Sequence, residues 1–154
     1  MEAKRQQLVR TVRTAIAGQK TEQEILQKAI ELIDAFSADF NWTGFYVMRD
    51  GVLEVGPYIG PKTEHTRIEL NSGICGAAAT QKKSVIVDDV KADPRFLACS
   101  LTTRSEIVVP LMDGQTCLGE IDIDSDKMSN FTDDDRRMLE EIASVVVDRL
   151  KQIR

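Results

Sequence analysis

At 154 residues and 42% hydrophobic, the chain is long enough for one domain with a substantial core and too short for two. A formal charge of −5, with basic residues scattered apart from Lys4, Arg5, Arg10 and Arg13, argues against nucleic acid as a partner. No apolar run approaches the ~18 residues of a membrane span, and the polar opening MEAKRQQ lacks a signal-peptide core. The expected setting is cytoplasmic, with no membrane partner. There, three cysteines serve as core residues or as chemical groups rather than as a disulfide framework. A single histidine, with no Cys-x-x-Cys and no His-x-x-x-His, gives a zinc site little support.

Residues 2 to 17 place Leu8, Val12, Ala15 and Ile16 at helical spacing, and Gly18 is a natural stop. Thr21 with Glu24 forms a capping box, after which Ile25, Ala29, Leu32, Ile33 and Phe36 define a second amphipathic helix. These N-terminal helices, within residues 1–37, read as scaffold. Asn41 to Met48 reads as a strand, Asp50-Gly51 as a turn, and Val52 to Val55 as the returning strand. Even spacing sets Trp42, Gly44 and Tyr46 on one face, with Gly44 leaving room between two aromatic walls. That is either a pocket floor or ordinary core packing.

From Gly56 to Asn71 the chain turns through Pro57, Gly60 and Pro61 and adds a short strand at Thr66 to Leu70, with His65 as a surface loop residue. Ser72 to Ala79 reads as a loop entering a short helix whose small residues meet a close neighbour. Cys75 near that N-terminus is either a thiol whose thiolate the helix dipole favours or a small buried residue. Ser84 to Val87 is a short strand, and Asp88 to Arg95 a polar crossover.

Cys99 opens the most informative stretch. Its two apolar runs, Ile107 to Met112 and Cys117 to Ile123, flank Asp113-Gly114 and predict a hairpin. Along the second run Cys117, Gly119, Ile121 and Ile123 point one way, and Leu118, Glu120, Asp122 and Asp124 the other. One face is core, with Cys117 as a buried structural thiol; the other is acidic, either a site or a solvated face. A two-residue turn at Asp113-Gly114 sends Glu106 into the core. An odd-length loop or a bulge is therefore expected, with a three-residue loop setting Glu106 opposite Asp122. Thr132 and Asp135 start the last helix, 132–152, whose apolar stripe packs on the sheet or on another copy. Paired strands at 42–124 with helices gathered at the ends predict an α+β domain, an antiparallel β-sheet with helices mainly on one face.

NWTGFY (Asn41 to Tyr46), VGPY (Val55 to Tyr58), SGICG (Ser72 to Gly76), SEIVVP (Ser105 to Pro110) and GEIDIDS (Gly119 to Ser125) occur in that order. Together they resemble the GAF-type free methionine-(R)-sulfoxide reductases, a likeness running from Trp42 to the last helix. The resemblance implies a single GAF domain over residues 1–154, a homodimer, and free methionine-(R)-sulfoxide as substrate. By the same likeness Cys99 is the nucleophile, Cys75 a resolving thiol, and Glu106, Asp122 and Asp124 the carboxylates that hold and protonate the substrate. Trp42 and Tyr46 would enclose its methyl end. The chain departs from the family where His-Ile-Ala-Cys-Asp is replaced by Phe96-Leu97-Ala98-Cys99-Ser100, at His65 in place of a cysteine, and at Glu120 in place of an aliphatic residue.

The chemistry suits these residue types. A thiolate attacks a sulfoxide sulfur only as the oxygen accepts a proton, so a carboxylic acid must stay protonated near neutral pH. Clustered carboxylates supply one because they cannot all ionise together. Methionine leaves, Cys99 becomes a sulfenic acid, and Cys75 condenses with it to a disulfide that thioredoxin reduces. No metal or organic cofactor is required. The competing readings are a non-catalytic GAF module that binds a small molecule and a thiol peroxide sensor; the latter leaves the carboxylates without a purpose.

Overall fold

Two of the helices begin where a capping box places them. In the computed structural model, which describes residues 2–96 and 102–154, α1 spans Ala3–Ala17 and α2 spans Glu22–Asp34. Thr21 Oγ1 accepts from the Glu24 amide at 3.1 Å, and the Glu24 carboxylate accepts from the Thr21 amide at 3.1 Å. α4 (Asp133–Gln152) starts with the same box, built by Thr132 and Asp135. Asp135 also receives Arg5 of α1 at 2.9 Å, tying the two ends of the chain together. Gly18 does end α1, but in a right-handed conformation with φ of −89°, so the stop does not use the left-handed freedom of glycine.

Six strands form one antiparallel sheet in the order β3-β2-β1-β6-β5-β4. They are β1 (Trp42–Arg49), β2 (Val52–Ile59), β3 (Arg67–Glu69), β4 (Val85–Val87), β5 (Ser105–Asp113) and β6 (Thr116–Ser125). The hairpins β1–β2 and β5–β6 meet along β1 and β6, so the two centre strands carry the motifs NWTGFY and GEIDIDS. Asp50 and Gly51, at φ of 52° and 80°, make the mirror-type turn that matches strand twist. β2 continues past Val55, where the sequence pattern predicts a turn. It bulges through Gly56 and Pro57, and its register to β1 slips between Gly44 and Tyr46. Because β3 pairs only with Val52 to Glu54, the outer edge of β2 there is free of β3 and tolerates a proline that lacks a donor.

In the second hairpin Asp113 pairs with Thr116, leaving a two-residue turn of Gly114 and Gln115 rather than one centred on Asp113-Gly114. The expected correction of register comes from a bulge: Leu111 pairs with Gly119 and Met112 with Cys117, so Leu118 is the extra residue. Gly119 sits at φ of 151°, where a Cβ would stand 2.2 Å from the Tyr46 carbonyl oxygen. The bulge also overturns the expected place of Cys117. One inserted residue inverts the alternation upstream of Gly119, so Leu118 packs with the helix-side core and half-buried Cys117 with the opposite face.

α1, α2 and α4 cover one face of the sheet over Phe45, Ile107, Val109, Leu111, Ile121 and Ile123, all almost fully buried. Each such side chain contributes about 1.5–3 kcal/mol. The lone helix α3 (Gly73–Gln81) closes the other face through Ile74, Cys75, Ala78 and Ala79 against Trp42, Tyr46 and Val108. Its small residues permit the approach, since a Cβ on Gly76 would meet the Glu69 carbonyl oxygen at 2.6 Å. This is the α+β arrangement predicted, with three helices of four on one side. Among the described residues no helix is long and apolar enough to cross a membrane.

Candidate active site

The face beneath α3 carries three rows across β1, β6 and β5. They read Trp42–Asp124–Glu106, Gly44–Asp122–Val108 and Tyr46–Glu120–Pro110. Partners in such rows sit with Cβ atoms about 4.5–5.5 Å apart, so the acidic residues of β6 are flanked by aromatics on one side. Glu106 pairs with Asp124, not with Asp122 as a three-residue loop would give, yet it joins Asp122 and Asp124 on one face as expected. The face is not solvated: Glu106 is 5% exposed, Asp122 and Asp124 2%, and Glu120 0%.

Four carboxyl groups in a dry nest cannot all be ionised. Burial, then the charges of Asp122 and Asp124, then hydrogen bonds to both, push Glu106 well above the ordinary carboxylate range. Asp124 rises well above it through burial and the charge of Asp122, with the hydrogen bond from Glu106 partly offsetting. Asp122 is raised by burial against the opposing effects of its hydrogen bonds to Glu106 and Cys75. One oxygen each of Asp122 and Asp124, and both oxygens of Glu120, have no hydrogen-bond partner of ordinary geometry. The arrangement therefore stores protons at neutral pH and can release one to a bound acceptor.

Cys75, third residue of α3, is 5% exposed and aims into this nest. Its Sγ and one oxygen each of Glu106 and Asp122 lie within 4.8 Å of one another, close enough to share a substrate atom or a cation. The dipole expectation for this thiol fails. Burial first, then the charges of Asp122, Glu120 and Glu106, raise it well above the usual thiol value, and these outweigh one helix terminus. Cys99 lies outside the described residues, as do its neighbours Leu97, Ala98, Ser100 and Leu101.

Trp42 and Tyr46 flank the carboxylates as predicted, but Gly44 is not empty floor. The Trp42 indole folds over it, and a Cβ on Gly44 would stand 2.5 Å from the ring. Trp42 stacks on Tyr46 at 6.1 Å and on Tyr58 at 5.0 Å between centroids, and its Nε1 donates to the Pro61 carbonyl at 3.1 Å. The Tyr46 hydroxyl donates to the His65 carbonyl at 2.9 Å, so half-buried His65 is part of the support for this wall rather than a free surface residue. A cavity of about 150 Å³ opens beside these groups, lined among the described residues by Asn41, Trp42, Pro61, Thr102, Thr103, Asp124 and Asp126. A larger cavity of about 560 Å³ lies between β5 and α4 and touches none of the predicted site residues.

Tyr58 escapes sequence reasoning, and Glu120 is placed by it on the acidic face without a role in the site. Tyr58 stacks on Trp42 because the β2 bulge sets it opposite Gly44, a register no local pattern announces. Glu120 stands on the acidic face by simple alternation, which was the available signal; its complete burial against Cys75 depends on where α3 lies.

Residues 19–150 match the GAF domain family model. The free methionine-R-sulfoxide reductase of Escherichia coli strain K12 is 32% identical over 137 residues, covering 89% of this chain and 82% of that protein. GAF domain-containing protein A of Dictyostelium discoideum is 38% identical over 109 residues, 70% of this chain and 68% of that one. The X-ray structure of free methionine-R-sulfoxide reductase from Neisseria meningitidis in complex with its substrate superposes with a TM-score of 0.92 at 30% identity. That match covers 97% of this chain and 89% of that one.

Proposed function

We propose, from the premise that this chain belongs to the GAF-domain free methionine-R-sulfoxide reductase family, that it reduces free L-methionine-(R)-sulfoxide to methionine. The observation that carries the reading is the buried trio Glu106, Asp122 and Asp124, held against a thiol under the Trp42 wall. A sulfoxide is a weak electrophile until its oxygen is protonated, and a carboxyl group kept neutral by burial and like charge is the acid for that task. Glu106 is the donor: it is pushed well above the carboxylate range and holds hydrogen bonds to both aspartates. The charge left on the cluster after one proton is shared favours a substrate ammonium, which a peptide-bound methionine does not have. Trp42 covers the apolar end.

The thiol chemistry follows in two halves. Cys99 attacks the sulfoxide sulfur, methionine departs, and the oxygen remains on Cys99 as a sulfenic acid. Cys75 then displaces that oxygen as water, and thioredoxin reduces the resulting disulfide. The working unit is a homodimer in the cytoplasm. The test is reduction of the purified R and S epimers with thioredoxin, thioredoxin reductase and NADPH. Turnover restricted to the R epimer and lost in Cys99→Ser supports the reading. No turnover of either epimer, even with dithiothreitol, overturns it in favour of a ligand-binding GAF module.

A further inference from the structure

Four carboxyl groups meet on the α3 side of the sheet without a cationic side chain to balance them. Glu106, Glu120, Asp122 and Asp124 are all buried, and among the described residues none of them forms an ion pair with lysine or arginine. Buried carboxyl groups are ordinarily paired with a cation or bound to a metal. Protons shared within the cluster satisfy only part of it. Asp122 Oδ1 and Asp124 Oδ1, on side chains that are 2% exposed, stay buried without a hydrogen-bond partner, and such an acceptor calls for an ion or a water. Cys75 completes the set from a third element. Its Sγ and one oxygen each of Glu106 and Asp122 lie within 4.8 Å of one another, so α3, β5 and β6 each deliver one donor to the same point. Asp124 stands directly opposite Glu106 and lines the cavity of about 150 Å³ beside Trp42.

We propose that the reduced protein binds one thiophilic divalent cation, of the Zn²⁺ class, on Cys75 Sγ and the carboxylates of Glu106 and Asp122. The donor set decides the class of ion. Mg²⁺ and Ca²⁺ take oxygen ligands, whereas one sulfur with two carboxylates suits Zn²⁺. Donors around a four-coordinate Zn²⁺, at about 2.3 Å for sulfur and about 2.0–2.2 Å for oxygen, stand about 3.3–3.7 Å apart. Movements on the order of 1 Å therefore close the trio on one ion, with water or Asp124 in the fourth position. Binding breaks the Cys75 S–H bond and the carboxyl O–H held by Glu106 and Asp122, forms three donor–metal bonds, and passes the protons to solvent with no change of oxidation state. The ion supplies the positive charge that a standing thiolate lacks in this nest. Because Glu106 cannot hold both the ion and its proton, the bound ion blocks protonation of a sulfoxide. That consequence rests on the proposed reductase activity, whereas the binding does not.

The experiment titrates reduced full-length protein with Co²⁺ as a spectroscopic stand-in, then displaces it with Zn²⁺. A thiolate-to-cobalt charge-transfer band that saturates at one equivalent and vanishes on adding Zn²⁺ is the expected result, with one Zn²⁺ per chain retained in equilibrium dialysis. Asp122→Asn and Glu106→Gln each weaken binding on the order of 10²-fold, since loss of even an outer-shell partner costs 10–100-fold. Cys75→Ser loses the band, while Cys117→Ser, which removes a half-buried thiol outside the trio, keeps it. Absence of the band together with no retained Zn²⁺ overturns the proposal. So does a band lost in Cys117→Ser but kept in Cys75→Ser, or an affinity untouched by Asp122→Asn and Glu106→Gln in proteins of equal melting temperature. Single-turnover formation of methionine from the (R)-sulfoxide, without thioredoxin, should fall in proportion to Zn²⁺ occupancy and return on chelation; turnover unmoved by a saturated site overturns the blocking. A protein that binds the ion on these residues yet reduces neither epimer in its absence overturns the reductase reading and leaves the cation site standing.

Discussion

The buried carboxyl cluster should make the protein less stable as pH rises, the reverse of ordinary acid denaturation. Glu106, Glu120 and Asp124 are pushed well above the carboxylate range, and Asp122 is raised as well, chiefly by burial. In the unfolded chain the same groups ionise near their ordinary values. Above those values the folded state therefore holds more protons than the unfolded one, and unfolding free energy falls with pH. The contribution is fully present below the unfolded values and is lost as pH climbs through the raised ones. Each proton retained by the folded cluster is worth about 1.4 kcal/mol per pH unit. The interval from about pH 5 to about pH 8 lies above the ordinary carboxylate values, so each proton the cluster retains within it adds to that loss. For a chain of 154 residues each pH unit over which one such proton is retained lowers the melting temperature by roughly 3–6 °C. The two carboxylates lowered by arginines, Asp93 by Arg95 and Asp134 by Arg137, are near the surface and act only at more acidic pH. Thermal melts of the reduced protein across this interval provide the assay, with Glu120→Leu as the internal control. That variant removes one of the raised groups and should flatten the slope. A melting temperature that stays level or rises from pH 5 to 8 would refute the claim that the cluster is protonated in the folded state.

Gly119→Ala places a methyl group 2.2 Å from the Tyr46 carbonyl at a φ of 151°. It should cost roughly 2–4 kcal/mol in urea unfolding through strain and overpacking. Gly44→Ala puts a Cβ 2.5 Å from the indole of Trp42. Because Trp42 is the single tryptophan, its fluorescence should shift to the red as the ring is displaced, with a rise in KM for the sulfoxide. Unchanged emission would mean that the ring does not rest on Gly44. Glu106→Gln should lower kcat on the order of 10²–10⁴-fold, with the loss persisting at every pH, whereas the unsubstituted protein loses activity only as pH rises through the raised value of Glu106.

Much of the site was legible because it lies on strands, where alternation alone assigns faces. The acidic set of β6 and the Trp42–Tyr46 pair follow from period two. The capping boxes at Thr21 and Thr132 follow from local chemistry that tertiary structure rarely overrides. What the pattern could not supply was register between strands far apart in sequence. That Glu106 meets Asp124, and that Cys117 leaves the helix-side core, both result from a bulge at Leu118. An expected bulge does not announce which residue it expels. The dry character of the acidic face was equally hidden. It depends on α3 lying across β6, and a nine-residue helix of small residues carries no periodic signal of the face it covers. The same contact reverses the expectation for Cys75, since the dipole of a short helix is outweighed by burial among carboxylates.

That reversal bears on how the two thiols divide the work. Burial raises the carboxyl groups into useful acids, and the same burial and like charge raise Cys75 away from its thiolate. One nest cannot both protonate a sulfoxide and hold a standing thiolate. A thiol in that position is poorly suited to begin the reaction but well suited to end it, because a sulfenic acid is a far better electrophile than a sulfoxide and can be attacked as the proton leaves. Cys75 should accordingly resist alkylation in the resting protein. Half-buried Cys117, raised by burial but opposed by its bond to the Gly119 carbonyl and by Lys82, should react first with iodoacetamide in peptide mapping. Equal labelling of the two would mean that Cys75 is not sealed by α3, and the assignment of Cys75 to the second half of the cycle would lose its physical basis.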